Sequence, residues 1–368
     1  MTGQADAYNT TLSGQVLFER RGPAGQLGVI TLNRPRQLNS LSHAMIREIT
    51  SQLAAWEKTP EVKQYLLIGA GERGLCAGGD ILEIRADVLG TGGEDAAEFF
   101  ANEYRLDAAT GDLAKPYVAI MDGYTFGGGV GLSAHSKGRR VVTERSQIAM
   151  PETAIGFVPD VGGTYLLANM PGETGIHAGL TGARLDAGDA IATGFADHFV
   201  SSERLAELVA RLESEAADAL LAELSQPAPE SPLLREREWI DEVYAAETPA
   251  EILSRLDARA VSRPAAAAAA KAIRASSPTA IAVTLEVIRS NRTAADLRSA
   301  IDLEYRAGMR LCVAHDFLEG VRAQVLDKDR NPQWQPATLD EVDRADVDAF
   351  LSPVEAKTVN WGIGAFAI

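Results

Sequence analysis

Cysteine is scarce in this chain. Cys76 and Cys312 are the only two among 368 residues, too few for a disulfide framework and suited to a reducing compartment. Neither stands in a C-x-x-C pair, and the five histidines are scattered, so no metal site is expected. Aromatics make up 6% of the chain against 46% apolar residues in all, a composition that fits an α/β or helical protein with a full core. Basic residues are in deficit: 35 Lys and Arg face 51 Asp and Glu, a formal charge of −16, which repels nucleic acid and anionic membrane. An anionic ligand must then be met by a local basic patch. Long apolar runs are missing too; none reaches the roughly 18 residues of a membrane helix. The opening MTGQADAYNTTLSG has neither the basic nor the apolar segment of a secretory signal. These absences lead us to expect a cytoplasmic protein with no nucleic-acid or membrane partner, residues 1–14 being disordered.

What is present is concentrated in one stretch, Lys115 to Gly163. It holds an apolar strand, a triple glycine opening a helix, a second short strand, and two carboxylates, Glu152 and Asp160, on a segment broken by proline and glycine. Around it the chain alternates. Gly28–Leu32 reads as a strand running into Asn33-Arg34-Pro35. Leu41, Met45, Ile46, Ile49, Leu53 and Trp56 recur at three- and four-residue spacing, predicting a helix over Ser42–Lys58 capped by Ser40 or Ser42. Strands are expected at Tyr65–Ile68, Tyr117–Met121 and Val141–Thr143. Helices are expected from near Asp80, over Ala97–Leu113, over Gly127–Ser136 and over Val161–Met170, with Asp160 as the last one's cap. The acidic, glycine-rich 86–97 reads as a mobile loop. The pattern to Met170 predicts a layered α/β unit with a mainly parallel sheet. From Leu185 onward strand signals nearly vanish: Asp186–Thr193, Ser202–Leu224, Pro249–Ala260, Pro264–Ser276, Thr279–Ser290 and Ala294–Val313 read as helices. Gln226–Pro232 is a candidate linker.

Two loops could carry chemistry through their backbone. Cys76-Ala77-Gly78-Gly79 and Phe126-Gly127-Gly128-Gly129 each follow a strand and open a helix, so each could aim N–H groups at a developing negative charge. The bland alternative is that these glycines only permit tight turns. Gly129-Val130-Gly131-Leu132-Ser133-Ala134 also matches a dinucleotide fingerprint, but the strand ends too far before it and the crossover after it is short. Glu152 after Pro151, and Asp160 after Pro159, could face one small cavity; each also suits an ordinary helix start. Cys76 reads as apolar filler rather than nucleophile, and His135, His177, His198 and His315 as structural or solvated. Arg34, Arg36 and Lys328 are isolated cations of the kind that meets phosphates.

The motifs GVITLNRPRQLNSL, GLCAGGDI, NEYRLD, KPYVAIMDGYTFGGGVGLS, AMPETAIGFVPDVGG, LTGARLDAGDAIATGFADHFV and HDFLEGVRAQVLDKDRNPQWQP together resemble the crotonase (enoyl-CoA hydratase/isomerase) superfamily, and within it most closely the 3-hydroxyisobutyryl-CoA hydrolases. The resemblance implies an α/β fold, a crotonase-like spiral of ββα repeats, with the core over 15–225, a helical C-terminal region over 226–350 covering the ligand, and a tail over 351–368. It implies an acyl-CoA substrate, with coenzyme A part of the substrate and no further cofactor. It also implies an oxyanion hole from the backbone N–H groups of Ala77 and Gly128, and a homo-oligomer, trimer or hexamer. Hydratases of the superfamily use two glutamates, at positions that here are Gly131 and Glu152. The first is absent, and Asp160 stands where they carry glycine, an arrangement similar to that of the hydrolases. By that resemblance Glu152 is the catalytic carboxylate, as nucleophile or general base, Asp160 orients the substrate's 3-hydroxyl, and Glu103 contacts substrate. Two close acids would push one pKa up. The implied reaction is hydrolysis of (S)-3-hydroxyisobutyryl-CoA or a close short 3-hydroxyacyl-CoA, as in valine breakdown; hydration or isomerisation of another acyl-CoA is the alternative.

Overall fold

A computed structural model describes residues 13–136, 138–353 and 359. The disorder expected over 1–14 therefore lies outside the described residues except at Ser13 and Gly14, as does most of the expected tail. Among the described residues nine strands form two sheets. The larger has the order β1 (Val16–Arg21), β2 (Leu27–Leu32), β3 (Gln64–Gly69), β5 (Tyr117–Met121), β7 (Arg140–Val142), β9 (His198–Phe199), and the smaller β4 (Gly74–Cys76), β6 (Tyr124–Phe126), β8 (Gln147–Ala149). Among the described strand pairs β1–β2 is antiparallel and the others are parallel. Each strand of the large sheet from β3 to β7 hands the chain to a short strand of the small one and then to a helical segment. Three such turns make the ββα spiral.

Period-two alternation decides what each face of the large sheet buries. Leu27, Val29, Leu66, Val118, Ile120 and Val141 point to one side, onto Leu208, Leu212, Leu220, Leu221 and Leu224. Ile30, Leu32, Tyr65, Leu67, Tyr117, Ala119 and Met121 point to the other, into the main core. There helix α1 (His43–Glu57) lays down Met45, Ile46, Ile49, Leu53 and Trp56, with Ser42 accepting from the Met45 N–H as its cap.

Several expectations need correction. Residues 86–97 are not a loop: helices α2 (Ile81–Thr91) and α3 (Glu94–Asp112) meet at Gly92-Gly93, both in the left-handed region that glycine adopts without strain. The dinucleotide fingerprint lies inside helix α4 (Gly128–Ala134), all of whose residues are buried, and not at a strand-to-helix turn. Asp160 caps nothing; helix α5 (Gly163–Ala168) starts after Gly162. The stretch Ser202–Leu224 breaks into Leu205–Arg211 and Ala217–Leu224. Strand β1 and the helices Thr174–Thr181, Arg237–Tyr244, His315–Val321 and Arg344–Leu351 are additional. Helix Leu297–Leu311 packs on α3 and α5, carrying the C-terminal region onto the core. Among the described residues no helix is long and apolar enough to cross a membrane.

Candidate active site

The two glycine loops meet at the small sheet. β4 and β6 are parallel neighbours, with Cys76 opposite Thr125, so the residues that follow them emerge side by side. Ala77 cannot serve as expected, because its N–H donates to the Leu38 carbonyl at 3.0 Å. The cause is the parallel bridge between Leu41 and Gly79, which runs the 77–80 segment beside 38–41 and uses the N–H groups of Ala77 and Asp80. Gly79 and Gly128 keep N–H groups that donate to no other described residue. They are adjacent, since a Cβ on Gly128 would lie 3.3 Å from the Gly79 nitrogen. The donor pair the geometry supplies is thus Gly79 with Gly128, two residues along from the expected Ala77.

Carboxyl groups crowd beside this pair. A Cβ on Gly127 would lie 2.7 Å from Glu152 Oε1, and one on Gly128 would collide with Glu103 Oε1. Glu103, Asp107, Glu152, Asp160 and Glu304 are all buried, at 2%, 0%, 8%, 5% and 0% exposure. Glu103 Oε1, both oxygens of Asp107 and Glu152 Oε2 are buried without a hydrogen-bond partner. Such groups cannot all be ionised, because burial disfavours the charged form and each charge disfavours the next. Glu152 is raised well above its ordinary value by burial and then by the Asp160 charge, with a smaller share from Glu304 and Glu103. Glu103 and Asp107 are raised by burial and neighbouring carboxylates. Asp160 is pushed up to about 7 by burial, against the hydrogen bond it accepts from the Tyr104 hydroxyl at 2.7 Å.

Helix α3 delivers Glu103, Tyr104 and Asp107 from one buried face. Glu152 opens a single helical turn after β8, and Asp160 sits on the following irregular segment. Gly131 explains the missing carboxylate in steric terms. A Cβ there would come within 2.5 Å of Val161 Cβ and 2.7 Å of Asp107 Oδ2, so no longer side chain fits as the fold stands. Aromatic rings close the surroundings: Phe100 stacks on Phe157 at 5.3 Å, and Tyr305 from helix Leu297–Leu311 meets Tyr104 edge-on at 6.0 Å.

The remaining sequence candidates separate. Arg34 is not a free cation, since it pairs with Asp80 at 2.8 Å and donates to the Ser40 carbonyl at 2.7 Å, fastening the loop before α1 to the start of α2. Arg36 and Lys328 are exposed. Cys76 is fully buried, its thiol pushed up to about 12 by burial, as suits a filler. His135 is structural, its Nε2 lying 2.7 Å from the Val161 carbonyl. Among the described residues no cluster of possible metal ligands occurs. Sequence reasoning named Gly79 only as part of its loop, and passed over Tyr104, Asp107 and Glu304. The last two carried a signal: each is a carboxylate on the buried face of a helix, four residues after Glu103 and three after Ile301.

The family model for enoyl-CoA hydratase/isomerase matches residues 27–351. The chain is 40% identical over 357 residues to the mitochondrial 3-hydroxyisobutyryl-CoA hydrolase of Gallus gallus, covering 94% of this chain and 91% of that one. It is 40% identical over 351 residues to the mitochondrial enzyme of that name from Homo sapiens, covering 92% and 89%. Among solved structures it is similar to a carnitinyl-CoA dehydratase from Mycobacterium thermoresistibile, with a TM-score of 0.88 and 46% identity over 94% of this chain and 98% of that one. It is equally similar in fold to an enoyl-CoA hydratase from Rhodobacter sphaeroides 2.4.1, with a TM-score of 0.88 and 43% identity over 94% and 99%.

Proposed function

We infer that this chain, which belongs to the enoyl-CoA hydratase/isomerase family, hydrolyses a short 3-hydroxyacyl-CoA thioester, (S)-3-hydroxyisobutyryl-CoA, to the free acid and CoA. The curated relatives that share 40% identity over nearly the whole chain carry the hydrolase name. One observation in the site carries the same choice. Position 131 is closed to a second glutamate by Val161 and Asp107, while Asp160, held by Tyr104, supplies a carboxylate from a different direction.

In this reading the thioester oxygen lies between the Gly79 and Gly128 N–H groups. Charge that develops on it as the carbonyl carbon is attacked is met by donors already in place, each contributing a few kcal/mol. Glu152, against Gly127, attacks that carbon or takes a proton from water; both routes need its ionised form. Burial and the Asp160 charge raise its pKa, so turnover rises with pH through a value above the usual carboxylate range. Asp160 orients the 3-hydroxyl, and Glu103, against Gly128, lines the acyl end. The exposed Arg36 and Lys328 are the candidates for the phosphates of CoA, and Arg34 drops out because Asp80 holds it. Coenzyme A enters as part of the substrate, and the step fits valine breakdown in a cytoplasmic protein of trimeric or hexameric assembly.

The second reading is hydration of an enoyl-CoA, which the enoyl-CoA hydratase name of one similar solved structure fits only weakly beside the hydrolase names of the relatives. A thiol-release assay separates the two. The hydrolase reading requires CoA release from (S)-3-hydroxyisobutyryl-CoA; rapid hydration of crotonyl-CoA with no thiol released from either ester overturns it.

A further inference from the structure

We propose that Glu304, on helix Leu297–Leu311, is a positioning residue for Asp160: it fixes the turn that presents this carboxylate and so sets turnover without touching substrate. The proposal deepens the hydrolase reading and rests on it for the role of Asp160.

The turn from Asp160 to Thr164 has an unusual backbone. Val161 is at φ +54° and Gly162 at φ +77°, and a β-branched residue in the left-handed region is held there only by its surroundings. Glu304 supplies much of that hold. Its Oε2 accepts from the Gly162 N–H at 2.7 Å, and its Oε1 from the Thr164 N–H at 2.9 Å and from the Thr164 hydroxyl. Asn291 donates in turn to Thr164 Oγ1 at 2.7 Å, orienting that hydroxyl toward Glu304. On the other side of the turn His135 Nε2 lies 2.7 Å from the Val161 carbonyl. One carboxylate from a helix far along the chain thus joins both N–H groups that bracket Gly163. The residue it immobilises lies two positions before Gly162, with its own carboxyl against Tyr104.

Glu304→Gln keeps the shape and breaks the arrangement. An amide has one acceptor oxygen, so in either orientation its NH2 group faces a backbone N–H of the turn, leaving that donor buried and unpaired. With Asp160 displaced by a fraction of an ångström to an ångström, kcat is expected to fall by about 100-fold while KM stays near the wild-type value. The test is a double-mutant cycle of Glu304→Gln with Asp160→Asn, with far-UV circular dichroism and thermal melts on each variant. If Glu304 acts through Asp160, adding Glu304→Gln to Asp160→Asn slows turnover no further. Additive losses, an unchanged kcat in Glu304→Gln, or a loss confined to KM would each overturn the proposal. Should Glu304→Gln fail to fold, Thr164→Val takes its place, because it keeps both backbone N–H bonds to Glu304 and removes only the hydroxyl's bonds to Glu304 and Asn291; its smaller kcat loss must vanish in the Asp160→Asn background. The cycle is read on whichever turnover the wild type has, thiol release or hydration, so failure of the hydrolase reading and failure of the Glu304 role are seen separately.

Discussion

The large sheet separates two groups of carboxylates with opposite surroundings. On its main-core side Glu103, Asp107, Glu152, Asp160 and Glu304 are buried, and none of them is in an ion pair with a described residue. Across the sheet, on the helices Leu205–Arg211 and Ala217–Leu224 and the link between them, Glu207, Glu215 and Glu223 surround Arg211 at 3.3, 2.7 and 2.7 Å in solvent. Arginine hydrogen bonds hold the second group below the usual carboxylate range, whereas burial lifts the first above it. The same residue type therefore does different work. Exposed acids paired with arginine stay ionised, while buried acids without a cation have raised pKa values, so that within one cluster some carboxyls can hold a proton while another is ionised to act as base or nucleophile.

The largest expected effect comes from the buried group. Glu152→Gln keeps the volume beside Gly127 and removes the ionisable oxygen, so kcat for thiol release is expected to drop by about 1,000-fold or more. Binding of the CoA ester, measured by calorimetry with an unreactive thioether analogue, should change only a few-fold, because the Gly79 and Gly128 donors remain. A variant with near-normal turnover would reduce Glu152 to the opening residue of a helical turn and erase the functional side of the contrast.

How much of this could be read from the chain follows from the range of the interactions. Helices such as Pro249–Ala260 were legible because proline, a threonine cap and apolar spacing are all local signals. Strands β4, β6 and β8 were not, since three residues each are too short to display alternation. Strand β1, VLFERR, ends in charged residues and owes its place to pairing with β2. The site divides in the same way. Glu152, Asp160, Gly128 and Glu103 lie in recognisable motifs, but the choice of Gly79 over Ala77 depends on which N–H the Leu38–Leu41 segment uses. Glu304 reaches the Asp160 turn from about 140 residues away, 142 to Gly162 and 140 to Thr164. No window on the sequence spans that distance.

An intermediate effect tests the electrostatic half of the comparison. Asp107 is raised above its ordinary value by burial first and by Glu103, Asp160 and Glu304 next. The folded state therefore holds a proton that the unfolded chain releases above the normal aspartate pKa, near 4. Unfolding then releases a proton, and stability falls as pH rises, by up to about 1.4 kcal/mol per pH unit for one such group until its folded pKa is reached. Asp160, pushed up to about 7 by burial against the hydrogen bond it accepts from Tyr104, acts in the same direction. Asp107→Asn keeps a neutral side chain at every pH. Its stability relative to wild type, from urea titrations at pH 5 to 8, should rise with pH and flatten the decline; parallel curves would mean that Asp107 is ionised in the fold.

The smallest effect belongs to the surface group, and its smallness is the point. Arg211→Ala leaves Glu215 and Glu223 without this cation and Glu207 with Arg204 alone, but in water the repulsion among the three is weak and salt screens it over about 10 Å at 0.1 M. We expect a slight fall in melting temperature at low ionic strength that disappears in high salt, with kcat for thiol release unchanged. The buried acids behave differently because ions cannot enter between Asp107 and its neighbours, so the pH slope that Asp107→Asn removes should persist at the same salt concentrations. A salt-resistant loss in Arg211→Ala, or an Asp107→Asn effect abolished by salt, would show that the sheet does not separate two electrostatic environments in the way the burial of these side chains implies.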